Sequence, residues 1–322
     1  QQALQTNSKC SYETEIVLQG KNKLLQMNFM PLPIMLKGKK LVGMYVLDRT
    51  DYQTMAERLD ASCLFAQQNS FFCMVFNNKN DSEQIISELT KYGIHCKESF
   101  SCFYFLIDQK SNASSGSYFP YYQSIVLEHC LKKGIQWIWR DEHGFCMLIP
   151  GLAPEQCRAY GETLLNEIRS LVSYFDVSLG MSSCPAQSQF QLTELPRRAY
   201  LSAIVAGIRR DGSMHYEEIG LYRFAFQLVE NGGHTELIHD QLEKLLVFDA
   251  THNAKLLDTL EHLLENQNIK VVAGILGLHP NTVSWRKQKI INLLGNSLDD
   301  FTNNATLAVA VKSSRIATFL AK

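Results

Sequence analysis

Between Asn268 and Asn292 the sequence places Lys270, Arg286, Lys287 and Lys289 and no Asp or Glu. Cations with no acid among them suit a polyanion, because each phosphate they neutralise releases a condensed counterion. His279, Asn281, Thr282, Ser284 and Trp285 stand in the same stretch. Asn281, Thr282 and Ser284 carry donors and acceptors that read base edges when they occupy the first turns of a helix laid in a major groove. Trp285 suits either a sugar-phosphate contact or a place in the core. The chain as a whole offers no such attraction: 31 Lys and Arg against 32 Asp and Glu leave a formal net charge of -1. Any contact with nucleic acid must come from a local patch.

Such a patch needs a rigid support, and the local pattern supplies one. Leu256, Leu257, Leu260, Leu263 and Leu264 recur at helical spacing over residues 254–264, burying one face and leaving Asp258, Glu261 and Glu265 in water. Asn266, Gln267 and Asn268 break that pattern, and Asn268 is placed to cap a short helix bearing Val271, Val272, Ile275 and Leu276. Gly277 ends it with a tight turn. Leu278 plugs the space between helices. Pro280 fits a first helical turn, where the amide hydrogen it lacks has no partner to lose. A basic helix over residues 281–294 follows, with Val283, Ile290, Leu293 and Leu294 inward and Gly295 as its stop. The spacing predicts a helix-turn-helix over residues 269–294.

This segment resembles the C-terminal domain of transcription regulators of the PucR/CdaR type. In that family a His-x-Asn-Thr-Leu segment opens the recognition helix and Leu-Leu-Gly closes it. Here stand His279-Pro280-Asn281-Thr282-Val283 and Leu293-Leu294-Gly295. The apolar run over 305–311 fits the family's final helix, and the likeness covers about residues 245–317. Pro280 and Ser284 stand where members usually carry a basic residue, and Lys287 where an apolar one is usual; these departures bear on the operator sequence rather than on the fold. The resemblance implies a double-stranded DNA operator as partner, an unknown small-molecule effector, and control of catabolic genes. It implies a homodimer too, since one motif reads only a half-site.

Upstream, residues 100–107 read as a buried strand, 118–133 as a helix ended by Gly134, and 135–139 with 145–149 as a hairpin around Asp141-Glu142-His143-Gly144. Residues 154–172 follow as a helix, 177–181 as a strand, 195–208 as a helix, and 215–222 as an extended run. That order resembles the degenerate GGDEF-like domain of the same regulators. The residues carrying it are Leu89-Thr90-Lys91-Tyr92-Gly93-Ile94, Leu106-Ile107-Asp108, Met147-Leu148-Ile149-Pro150-Gly151 and Val177-Ser178-Leu179-Gly180-Met181. An active cyclase has Gly-Gly-Asp/Glu-Glu-Phe at the hairpin turn, where this chain has Arg140-Asp141-Glu142-His143-Gly144-Phe145. Trp139 and Arg140 are bulky where a nucleotide needs bare glycine, so no enzyme activity is expected. Residues 1–50, with strands near 16–18, 24–30 and 41–47, resemble the C-terminal half of a PAS sensor domain closing on Asp48-Arg49-Thr50.

The expected fold class is therefore α+β. It comprises a partial PAS-like antiparallel sheet over residues 1–50, a linker helix over 51–77, a GGDEF-like α/β sandwich over 78–224, and an all-α helix-turn-helix domain over 225–322. Other chemistries find little support. No nucleophile, base and orienting group can be nominated for catalysis, and no phosphate-binding glycine loop is visible. The nine cysteines lack any C-x-x-C pair and read as reduced, mostly buried thiols. His95-Cys96, His129-Cys130 and His234 with His239 lack structural metal spacing, so neither metal nor cofactor is expected. Apolar runs fall short of the ~18 residues a membrane helix needs, which points to a cytoplasmic protein with no membrane partner. The N-terminus has neither an initiator Met nor a secretory signal, as expected of an inner part of a longer protein. The rival readings are a cyclic-dinucleotide enzyme or receptor, and a protein-interaction module with a helical tail.

Overall fold

A computed structural model of the chain describes residues 10–18, 21–36, 39–48, 70, 72, 87, 89, 90, 94, 98–109, 119–135, 137–140, 143–172, 175–186, 189–295, 298 and 300–321. The architecture is α+β, and the chain forms two compact units, residues 1–70 and 71–322.

The first unit holds three antiparallel strands in chain order, β1 (Cys10–Leu18), β2 (Lys21–Leu36) and β3 (Lys39–Asp48). All three expected strands are present, but β2 runs on past Met30 through Pro31 and Pro33. Proline brings no amide hydrogen to the ladder, and the register with β3 shifts between Pro31 and Met35. Buried Asn28 accepts a hydrogen bond from the Ser11 hydroxyl across the β1–β2 pair at 2.7 Å. Of the expected linker helix, Ser70 and Phe72 are described and helical; its other residues lie outside the described ones.

The second unit is built on a five-stranded sheet in the order β5-β6-β4-β7-β8. Its strands are β4 (Phe100–Gln109), β5 (Trp137–Arg140), β6 (Gly144–Pro150), β7 (Phe175–Cys184) and β8 (Ser213–His215). Neighbours are antiparallel except β7 and β8, which are parallel. Central β4 is apolar on both faces because both are covered. On one face Phe103 meets Tyr160 of α2 (Pro154–Leu171), and Cys130 of α1 (Phe119–Lys132) reaches Met147. On the other, Tyr104 meets Tyr200 of α3 (Gln189–Arg209). A methyl on Gly180 would lie 1.8 Å from the Ala199 carbonyl oxygen, so glycine is what allows α3 to rest directly on β7.

The element order from β4 to β8 agrees with the order read from the sequence, with two corrections. Helix α3 begins at Gln189, not at residue 195, and carries Pro196 inside it. Residues 215–222 are not extended. The strand ends at His215, and Tyr216–Glu218 form a 3-10 turn. A reciprocal cap closes that turn: His215 Nδ1 accepts from the Glu217 amide, and a Glu218 carboxylate oxygen accepts from the His215 amide.

Six helices follow: α4 (Tyr222–Glu230), α5 (His234–His252), α6 (Leu256–Glu265), α7 (Ile269–Leu276), α8 (Pro280–Leu294) and α9 (Phe301–Leu320). They feed two apolar clusters. Leu242, Leu245, Leu256, Leu260, Val272, Val283 and Ile290 pack with Leu307, Ala310 and Val311 of α9. Tyr222, Ala225 and Phe226 of α4 join the sheet's cluster instead, together with Ile316 from the second half of α9. Helix α9, about 30 Å long at 1.5 Å per residue, thus belongs to both.

Candidate nucleic-acid interface

The local signals for α7 and α8 act as their chemistry requires. Asn268 Oδ1 accepts from the Lys270 amide at 2.9 Å and caps α7. Gly277 takes the left-handed conformation at φ 64°, and the Leu278 amide returns to the Ala273 carbonyl at 2.9 Å. Pro280 opens α8, and His279 caps it by accepting the Asn281 amide on Nδ1 at 3.2 Å. With Nδ1 accepting, the proton of a neutral His279 ring sits on Nε2. Val283 and Ile290 are fully buried and seat α8 on the bundle.

The outward side of α8 is a single stripe. Asn281, Ser284, Trp285, Gln288 and Asn292 are exposed, and their spacing by three, four and seven places them along one face. Trp285 is 58% exposed, so its ring is on the outer face and not in the core. Gln288 and Asn292 escaped the sequence reading although they continue the periodicity of Asn281, Ser284 and Trp285; the Gln288 amide donates to Asn292 at 3.1 Å. Lys270 and His279 are exposed too, whereas Thr282, Arg286, Lys287 and Lys289 are half-buried along the flanks.

Two of the cations are held by partners the sequence did not reveal. Arg286 Nη1 donates to the hydroxyl of Thr259 on α6 at 3.0 Å. That occupies one of the five donors of a guanidinium. Lys289 Nζ lies 4.5 Å from the centre of the Phe248 ring of α5, a cation–π contact. Each contact pins a flexible stem to the bundle and limits where the charge can go. The acidic face of α6 differs from expectation at Glu261. Asp258 and Glu265 keep water contact as expected, but the Glu261 side chain is only 16% exposed, and all three pair with cations of α9.

Other clusters of reactive side chains have local partners that define their chemistry. His215 Nε2 lies 3.3 Å from the Ser183 hydroxyl. Since His215 Nδ1 accepts a backbone amide, Nε2 carries the proton and donates to Ser183, the reverse of what a general base would do. Burial pushes the Cys130 thiol up to about 12, reinforced by the Glu167 carboxylate, which leaves it protonated and inert. His129, beside it in sequence, is paired with Glu167 at 3.0 Å. Among the described residues no group of three or more His, Cys, Asp or Glu could hold a metal ion, and no helix is long and apolar enough to cross a membrane. Asp141 and Glu142 of the hairpin turn lie outside the described residues.

Comparison with known proteins agrees with this geometry. Residues 256–313, which run from α6 into α9, match the PucR C-terminal helix-turn-helix domain. Two curated relatives come from Bacillus subtilis (strain 168). The DNA-binding transcriptional activator AdeR is 24% identical over 98 residues, 30% of this chain and 23% of AdeR. The proline-responsive transcriptional activator PutR is 28% identical over 107 residues, 33% of this chain and 26% of PutR. The matches therefore span about a quarter of each relative's length. Among solved structures, a regulator of polyketide synthase expression from Bifidobacterium adolescentis aligns over 79% of this chain and 99% of its own, at 16% identity and a TM-score of 0.32.

Proposed function

We propose that the chain is a sequence-specific transcription regulator that binds double-stranded DNA through α8. The observation that carries this is the exposed stripe of α8, neutral and hydrogen-bonding, flanked by Lys270, Arg286, Lys287 and Lys289 with no carboxylate between Asn268 and Asn292. In this reading the stripe enters the major groove. Asn281, Thr282 and Ser284 read base edges, while the cations, the Nε2–H of His279 and the Trp285 ring engage the sugar-phosphate backbone.

Around that site we read residues 1–50 as PAS-like, 51–77 as a linker, 78–224 as a degenerate GGDEF-like scaffold used for dimerisation or signal relay, and 225–322 as the DNA-binding part. The regulator works as a cytoplasmic homodimer, because two half-sites are needed for useful specificity. It answers to a small metabolite, a reading supported by the description of PutR as proline-responsive.

The experiment is a two-step one. Genome-wide capture of bound DNA supplies the operator, and titration of the protein against that duplex at several salt concentrations measures the electrostatic share. Affinity should fall linearly on logarithmic axes, with a slope of roughly -0.9 for each phosphate neutralised. Association that ignores salt would contradict the proposed face and favour a protein partner for the helical tail.

A further inference from the structure

The polar contacts that join the two apolar clusters converge on α6. One side of this helix presents Asp258, Glu261 and Glu265, and the other presents Thr259. Glu261 gathers three neighbours: the Tyr222 hydroxyl of α4 at 3.3 Å, and from α9 Arg315 Nε at 2.9 Å and Lys312 Nζ at 3.9 Å. Arg315 also donates to Asp258, and Lys312 lies 3.0 Å from Glu265 and 4.5 Å from the centre of the Tyr222 ring. Tyr222 is itself part of the sheet's apolar cluster. On the opposite side of α6, the fully buried Thr259 accepts the hydrogen bond from Arg286.

A ten-residue helix has too little stability to place itself, so α6 sits where its bonded neighbours hold it. Its start is held by Asp249 of α5, whose carboxylate accepts the Leu256 and Leu257 amides, and its apolar side by the bundle through Leu256, Leu260 and Leu263; its charged side is held by Tyr222 of the sheet's core and by α9, which is embedded in that same core at Ile316. Releasing a mostly buried carboxylate from two cations is costly. The charged side of α6 is therefore the side that ties it to the sheet's core, and Thr259, on the same rigid turns, moves with it.

We propose that Glu261 is the positioning residue through which the sheet's core sets α6 and, by way of Thr259, holds Arg286 at the nucleic-acid face. This rests on reading α8 as the DNA-contacting helix. A change in the sheet unit that withdraws the Tyr222 hydroxyl, or turns α9 by a few degrees, shifts the donor set of Glu261. Arg286 is then carried away from the phosphate it serves.

The test uses the 322-residue chain with Glu261→Gln and Tyr222→Phe made separately. Amide hydrogen exchange in Glu261→Gln should quicken on the order of tenfold in α6 and also in α8, with β4 and β7 unchanged. Tyr222→Phe keeps the ring and loses one hydroxyl, so it should show the same pattern at smaller amplitude even where Glu261→Gln does not fold. In titrations with a labelled mixed-sequence DNA duplex, the salt slope should fall by about one in Glu261→Gln, as Arg286 drops out of the contact count, and by a smaller amount in Tyr222→Phe. Faster exchange confined to α4, α6 and α9, with α8 and the salt slope unmoved, would overturn the proposal and leave Glu261 as a structural anchor alone. If the unmodified chain shows no salt-dependent affinity for the duplex, it is the DNA-binding reading that fails, and the exchange data still decide whether Glu261 couples to α8.

Discussion

Asn281 and Lys270 are both exposed at the candidate interface, yet their removal should have different consequences. Asn281 presents a paired donor and acceptor, the pattern that matches an adenine edge. Asn281→Ala should flatten the preference among operator variants while leaving the salt slope alone. Lys270 offers only charge, and Lys270→Ala should weaken binding to every sequence and lower the slope by about one. Lys270 is a cleaner probe than Arg286, whose loss would also strip a donor from buried Thr259. His215 gives a residue-scale prediction about stability. Its burial lowers its pKa below the ordinary 6.5, so the folded chain resists a proton that the unfolded chain accepts. The associated stability is complete above pH 6.5 and declines as pH falls toward the depressed value. Denaturant titrations across that window should show the decline, and His215→Gln should abolish it. Glu167, held down by hydrogen bonds from Lys133 and His129, adds its own loss only below 4.5.

Elements whose ends are marked by local chemistry were the legible ones. The turn between α7 and α8 was readable because Asn268, Gly277, Pro280 and Gly295 each perform a single backbone task that few other residues can. The 3-10 turn after β8 is hidden from local pattern because its cap is a histidine, a residue outside the usual Ser, Thr, Asp and Asn set. Helix α3 reaches back to Gln189, past Pro196, a residue that by itself marks a helix boundary but here stands within the helix. Two glycines test the difference between conformational and steric demands. Gly277→Ala meets no atom within 4 Å but must keep φ 64°, so a loss of about 1 kcal/mol is expected in denaturant unfolding. Gly180→Ala drives a methyl into the Ala199 carbonyl and should cost about 3 kcal/mol or more, since a whole helix must lift. A smaller cost at Gly180 than at Gly277 would mean that α3 is not seated as described.

At the scale of the molecule, what local pattern does not disclose is which distant segments return to which core. Nothing in the run of apolar residues along α9 says that Leu307 and Val311 pack with the helical bundle while Ile316 packs under the sheet. The ion pairs of Arg315 and Lys312 with α6 are likewise separations of about fifty residues that no periodicity reports. Because the same helix completes both clusters, the sheet and the bundle should unfold together. Calorimetry on residues 71–322 should give one transition with matching calorimetric and van't Hoff enthalpies. Two resolved transitions would show that α9 does not tie them.

The shared ownership of α9 also constrains how chains of this architecture can be recombined. A chimaera that grafts the helix-turn-helix of one protein onto the sheet unit of another, cut between residues 224 and 225, would bring a foreign Ile316, Phe319 and Arg315 to a core shaped for different side chains. Interchange works only for parts that carry their own seams. Here the seam follows Tyr222, Glu261 and the last turns of α9, so the transferable piece is defined by a surface in space and not by a single point along the chain.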